Sequence, residues 1–121
     1  MIKGMGIDLI ELERVKEKWV RHPEKFVQRT LTERERERYQ AFQSDKRKLE
    51  YLSGRFAAKE AFVKAAGTGI GKAYSFQDIE VLTGEEGAPY MSVRGVEHQI
   101  WVSIAHSEGH ALAQVIIESR D

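Results

Sequence analysis

From Leu49 to Ala66 the chain is built as one long helix, and Gly67-Thr68-Gly69-Ile70-Gly71 breaks it. Within it, the run from Phe56 to Ala66 is composed for burial apart from Lys59, Glu60 and Lys64. Glu60 and Lys64 are one turn apart on a shared face, with Phe56 one turn before Glu60. Burying an unpaired carboxylate is costly, so Glu60 requires a cation, whether Lys64, an arginine or a metal ion. From the helix alone Lys64 is the simplest partner, at the spacing that suits Glu before Lys.

The flanking sequence supplies strands for this helix to cover. Ile2 to Leu9 alternates loosely, with Met5, Ile7 and Leu9 on one face and Ile2, Gly4, Gly6 and Asp8 on the other, and reads as an opening strand. A helix is predicted from about Leu12 to Val20 and a short one after Pro23. Thr32 with Glu35 makes a capping-box start for a third. Later strands are predicted at Ile79 to Leu82, Tyr90 to Val93, Ile100 to Ala105 and Ala111 to Glu118, the last two as a hairpin. The expected class is α+β, a mainly antiparallel sheet packed on a long central helix, since no helix separates the last strands. With 121 residues, 41% of them hydrophobic, and no repeat or linker, a single domain spanning 1–121 is expected.

Composition narrows the chemistry. Charged residues make up 31%, no apolar run approaches the ~20 residues of a spanning helix, and the start lacks a signal-peptide order, so a cytoplasmic protein with no membrane segment is expected. The absence of cysteine excludes thiol catalysis and thiolate metal sites, so any metal is bound by oxygen or imidazole. The net charge of zero hides a division: residues 1–75 carry 17 basic and 11 acidic side chains, and residues 76–121 carry 2 and 8. The first part is the better surface for an anionic partner or a phosphate-rich ligand.

Asp8 has two readings, a cap for the helix beginning near Glu11 or a partner of Glu60 for a hard divalent ion. Magnesium suits the second, because it commonly takes only one or two protein carboxylates. The glycines from Gly67 to Gly71 either let backbone amides approach a phosphate or form a helix C-cap. The segment lacks the Gly-Lys-Ser/Thr ending of a Walker loop. Arg55, Lys59, Lys64 and Lys72 surround it and suit a ligand with several phosphates. His106 stands at a strand end before a turn, with no nucleophile-elbow pattern beside it.

Three blocks, Gly6-Ile7-Asp8-Leu9-Ile10-Glu11, the run from Gly54 to Ala65 with its Phe-Ala-Ala-Lys-Glu-Ala core, and Val102-Ser103-Ile104-Ala105-His106-Ser107, together resemble the holo-acyl carrier protein synthase family. The resemblance spans essentially the whole chain. It implies a 4′-phosphopantetheinyl transferase fold and the transfer of the 4′-phosphopantetheine group of coenzyme A to a serine of apo acyl carrier protein, releasing adenosine 3′,5′-bisphosphate. It also implies Asp8 and Glu60 as magnesium ligands and Lys64 as a phosphate contact; with that chemistry Glu60, directly or through a metal-bound water, is the candidate for removing the serine proton. Arg55, Lys59, Lys64, Gly67, Thr68, Gly69 and Gly71 are the expected coenzyme contacts. His106 is either a polar contact or second base near the site, or a strand-end hydrogen bond. The first helix would meet the acidic carrier, which singles out Arg14, Arg21 and Lys25, with Phe26 as apolar anchor. The bland reading of the basic run Arg14, Lys16, Lys18, Arg21, Lys25 and Arg29 is a solvated face. A homotrimer with active sites at subunit interfaces is also implied.

Two other classes compete. A nucleic-acid-binding module could use the same basic helices but leaves Asp8 and Glu60 unexplained. A magnesium-dependent phosphohydrolase explains the carboxylates but would consume coenzyme A without a carrier.

Overall fold

A computed structural model of the chain describes residues 1–68 and 73–120. The elements run β1 (Ile2–Glu11), α1 (Leu12–Arg21), α2 (Pro23–Thr30), α3 (Glu33–Ala41), α4 (Asp45–Ala66), a 3-10 turn at Phe76–Asp78, then β2 (Ile79–Thr83), β3 (Pro89–Val93), β4 (Gln99–His106) and β5 (His110–Glu118). The arrangement is α+β and its strand pairs are antiparallel, as expected. They divide into two sheets, β1-β5-β4 and β2-β3, rather than one. The turn between β3 and β4, with Gly95 at φ 80°, redirects the chain between them.

Local chemistry sets the helix ends. Thr32 and Glu35 form the expected capping box at the start of α3. α4 begins four residues before Leu49, because the Ser44 hydroxyl accepts the Arg47 N–H at 3.1 Å. Its charged first turn carries no apolar period, so pattern alone misses it. At the other end Gly67 adopts φ 78°, the Gly67 N–H donates to the Lys64 carbonyl (3.1 Å), and the Thr68 N–H donates to the Val63 carbonyl (2.8 Å). Gly67 and Thr68 therefore form a Schellman cap. Gly69, Gly71 and Lys72 lie outside the described residues.

α4 joins two cores. On one side Ala57, Ala58, Ala61 and Phe62 pack against Ile79, Val81, Val115 and Ile117. On the other, Leu52 and Tyr51 meet Val15, Val27 and Tyr39 from the first three helices and Leu31 from the turn after α2. Strand β1 lies directly on α4: a Cβ at Gly4 would stand 2.0 Å from the Ala65 carbonyl oxygen, and one at Gly6 2.1 Å from that of Ala61. The next residue on that face is Asp8. The alternation that places Gly4, Gly6 and Asp8 together thus brings a carboxylate onto the central helix. The opposite face of β1 leaves Met5, Ile7 and Leu9 exposed, beside Leu112 of β5 and Trp101 of β4.

Candidate active site

Asp8 does not cap α1. The N-cap is Glu11, which makes no side-chain capping bond, and Asp8 lies three residues inside the strand. Its Oδ1 instead accepts a hydrogen bond from Lys64 Nζ at 2.9 Å, and the same ammonium donates to the Ile7 carbonyl at 3.1 Å. Lys64 therefore reaches across to β1 rather than along its own helix, and it makes no ion pair with Glu60. That overturns the partner expected from helix spacing alone. Asp8 is 15% exposed and Lys64 53%, so the pair lies at a surface that ligands can reach.

Glu60 makes no hydrogen bond or ion pair among the described residues. Burial pushes its carboxyl above the ordinary carboxylate range and the Asp8 charge pushes it further, while Lys64 and Lys18 draw it back less. Asp8 and Glu60 line one cavity of about 430 Å³, together with Arg14, Lys18, Phe26, Phe56 and His110. A second cavity of about 610 Å³ shares Lys18, Phe26, Phe56 and Glu60 and adds Arg21, Lys25, Arg29, Thr30 and Phe76. The shared walls make one groove, acidic at one end and basic at the other. Its floor is aromatic, with ring centroids of Phe26 and Phe56 6.2 Å apart and those of Phe56 and Phe76 5.4 Å apart. Lys18 Nζ lies 5.7 Å from the Phe56 centroid.

Asp8, Glu60, Arg14, Arg21, Lys25 and Phe26 thus meet in one groove, and Lys64 holds Asp8 at its acidic end. Phe56 was legible as the residue one turn before Glu60 on its face, and Lys18 and Arg29 as members of the basic run. Phe76 and His110 arrive through tertiary packing and carry no local signal. His106 lines neither cavity. Its Nε2 donates to the Glu50 carbonyl at 3.0 Å, against Gly54, where a Cβ would come within 3.0 Å of the ring. Within one chain this is the strand-end hydrogen bond.

Arg55 and Lys59, expected among the phosphate contacts, face inward. Arg55 donates to the Val81 carbonyl (3.3 Å) and Thr83 Oγ1 (3.1 Å), with its guanidinium 4.3 Å from the Tyr51 ring centroid. Lys59 is fully enclosed and bound to the Thr30 carbonyl, Glu35 and the Phe76 carbonyl. Burial lowers the pKa of both. Neither side chain reaches the groove, because backbone and hydroxyl acceptors hold Arg55, and backbone and buried carboxylate acceptors hold Lys59.

The acidic end fits a divalent cation. It offers hard oxygen donors from two elements, and one of them is raised in pKa and lacks a cationic partner among the described residues. Among the described residues no group of three or more carboxylate or imidazole side chains could hold an ion. An ion here would complete its shell from water and substrate, as magnesium commonly does.

A model of the 4′-phosphopantetheinyl transferase superfamily matches residues 4–115. The chain is 53% identical over 118 residues to a holo-[acyl-carrier-protein] synthase of Anoxybacillus flavithermus, covering 98% of this chain and 97% of that protein. It is 48% identical over 121 residues to that of Staphylococcus haemolyticus, covering the whole of both. Its structure resembles the crystal structure of a holo-(acyl-carrier-protein) synthase from Bacillus anthracis in complex with CoA (3′,5′-ADP), with a TM-score of 0.90, 47% identity and 98% of each chain covered. The Helicobacter pylori synthase in complex with coenzyme A is similar at a TM-score of 0.84 and 30% identity, over 94% of this chain and 99% of that one.

Proposed function

The chain belongs to the 4′-phosphopantetheinyl transferase superfamily, and we propose that it acts as a holo-acyl carrier protein synthase, moving the 4′-phosphopantetheine group of coenzyme A to a serine of apo acyl carrier protein. The observation that carries this reading is the groove. Two carboxylates from β1 and α4 face one cavity, and that cavity opens onto a basic, aromatic surface suited to an acidic protein.

The reaction follows from what these side chains can do. The serine oxygen forms a bond to the phosphorus that bears the pantetheine arm, the bond from that phosphorus to the bridging oxygen breaks, and adenosine 3′,5′-bisphosphate leaves. Glu60 takes the serine proton as general base. Asp8 and Glu60 would hold magnesium, which supplies charge neutralisation at the pyrophosphate and the leaving bisphosphate. Lys64 stands beside Asp8, with an exposed stem that lets its ammonium exchange this partner for a phosphate oxygen.

Arg14, Arg21 and Lys25 form the carrier-facing rim, and Phe26 with Phe56 and Phe76 forms its apolar floor. Charge reversal at Arg14 and Arg21 together should raise the Michaelis constant for carrier about tenfold and leave that for coenzyme A unchanged. Steady-state kinetics with each substrate varied decides it, and equal changes in both would contradict the assignment.

The exposed Met5, Ile7 and Leu9 row, continued by Leu112 and Trp101, supports a homotrimer assembled on this sheet face, with active sites at the subunit interfaces. Met5→Glu places a charge in that row without entering the core. Native mass spectrometry should show trimer for the unmodified chain and monomer for the variant. An unchanged trimer would put the interface elsewhere.

The activity itself is tested by incubating the protein with coenzyme A, magnesium and an apo carrier protein, and weighing the carrier. Gain of the phosphopantetheine mass, dependent on all three, is expected. Coenzyme A consumption without carrier would favour a phosphohydrolase instead.

A further inference from the structure

Lys59 has no exposed surface, and three segments supply its acceptors: the Thr30 carbonyl at the end of α2 (2.7 Å), Glu35 Oε1 on α3 (2.7 Å) and the Phe76 carbonyl in the 3-10 turn (3.1 Å). An ammonium has three donors, so none is left for a ligand. Glu35, equally enclosed, accepts the Thr32 N–H at Oε1 (2.7 Å) and the Val81 N–H at Oε2 (2.6 Å). A buried ion pair of this kind is a poor device for stability alone, because apolar residues of similar volume commonly serve as well. Its location suggests another use. Thr30 and Phe76 are walls of the basic groove, and the residue after Lys59 is Glu60.

A second clamp holds the same helix end. Gln77 Nε2 donates to the carbonyls of Gln28 (2.8 Å), Leu31 (2.9 Å) and Arg29 (3.3 Å). The last carbonyls of a helix lack partners within it, so donors from α4 and from the 3-10 turn fix where α2 stops. Helix α2 carries Lys25, Phe26 and Arg29 into the groove.

We infer that Lys59, supported by Glu35 and Gln77, is a positioning residue for carrier recognition, which locks α2 and Phe76 at a fixed place relative to Glu60. A carrier protein seated on α2 then presents its serine at the carboxylate, and Lys59 makes no contact with the coenzyme. This rests on the transferase reading above.

The test is a kinetic comparison in which carrier and coenzyme A are varied separately. Lys59→Met alone leaves Glu35 buried and unpaired, so the double variant Lys59→Met/Glu35→Gln is used to remove both charges. Gln77 is exposed, and Gln77→Leu loosens the same helix end without entering the core. Both variants should raise the Michaelis constant for carrier about tenfold, the scale of one net hydrogen bond, and leave that for coenzyme A unchanged. A matching rise for coenzyme A overturns the inference. So does an unchanged carrier constant in Gln77→Leu, whether or not the double variant folds. Failure of the unmodified protein to modify any carrier overturns the transferase reading and this inference together.

Discussion

Glu60→Gln is expected to lower transfer about a thousandfold, the scale of a lost general base, and yet to raise the melting temperature of the metal-free protein at neutral pH. The second effect follows from the electrostatics of the metal-free site. Burial and the Asp8 charge raise the folded-state pKa of Glu60 above its unfolded value. The native state therefore holds that proton more tightly, and ionised Glu60 weakens the fold. The penalty is absent below the unfolded pKa, grows as pH rises, and is complete above the raised folded pKa. Glutamine has the shape without the charge, so the variant should lack this pH dependence. Thermal melts from acid to mildly alkaline pH, with and without magnesium, read it directly. Magnesium should stabilise the unmodified protein at neutral pH and do little for the variant. Parallel melting curves for the two proteins across the whole range would show that Glu60 is not held under strain.

Gly6→Ala should damage the fold and the site together. Its Cβ would fall 2.1 Å from the Ala61 carbonyl oxygen and 2.7 Å from the Ala65 backbone nitrogen. Both belong to the helix backbone, so neither can turn aside as a side chain could. Alanine gains about 0.4–1 kcal/mol from a less free unfolded chain. Overpacking costs about 3 kcal/mol here, so the clash decides the sign. A melting temperature lower by about 10 °C is expected. Function should suffer further, because Asp8 lies two residues along and moves with the strand. Activity measured well below the melting point should fall even where the protein remains folded. A variant that melts with the wild type would mean that β1 is not seated so closely on α4.

The elements that were legible in the sequence are those whose signals are local. The Thr32–Glu35 capping box, the Gly67 cap and the alternation of Gly4, Gly6 and Asp8 each depend on neighbours within a few residues. The start of α4 was not legible, since Ser44 caps a turn with no apolar period. The partners of the charged residues on α4 were misread for a related reason. Helix spacing offers Lys64 to Glu60, but close approach of β1 puts Asp8 within reach of the ammonium and leaves Glu60 without an ion-pair partner among the described residues. Likewise Lys59 looks like a phosphate contact in a charged motif, and only tertiary packing reveals that Glu35, Thr30 and Phe76 enclose it. The division of strands into two sheets was equally out of reach, because the pairing of distant strands leaves no periodic trace.

Whether Asp8 and Glu60 serve one cation is read most directly by titrating paramagnetic manganese in the presence of coenzyme A. Electron paramagnetic resonance should count one bound ion per chain in the unmodified protein. Asp8→Asn and Glu60→Gln should each weaken binding at least about tenfold, since loss of outer-shell partners alone commonly costs that much. If either variant binds manganese as tightly as the unmodified chain, the two carboxylates do not share an ion and the proposed site is wrong.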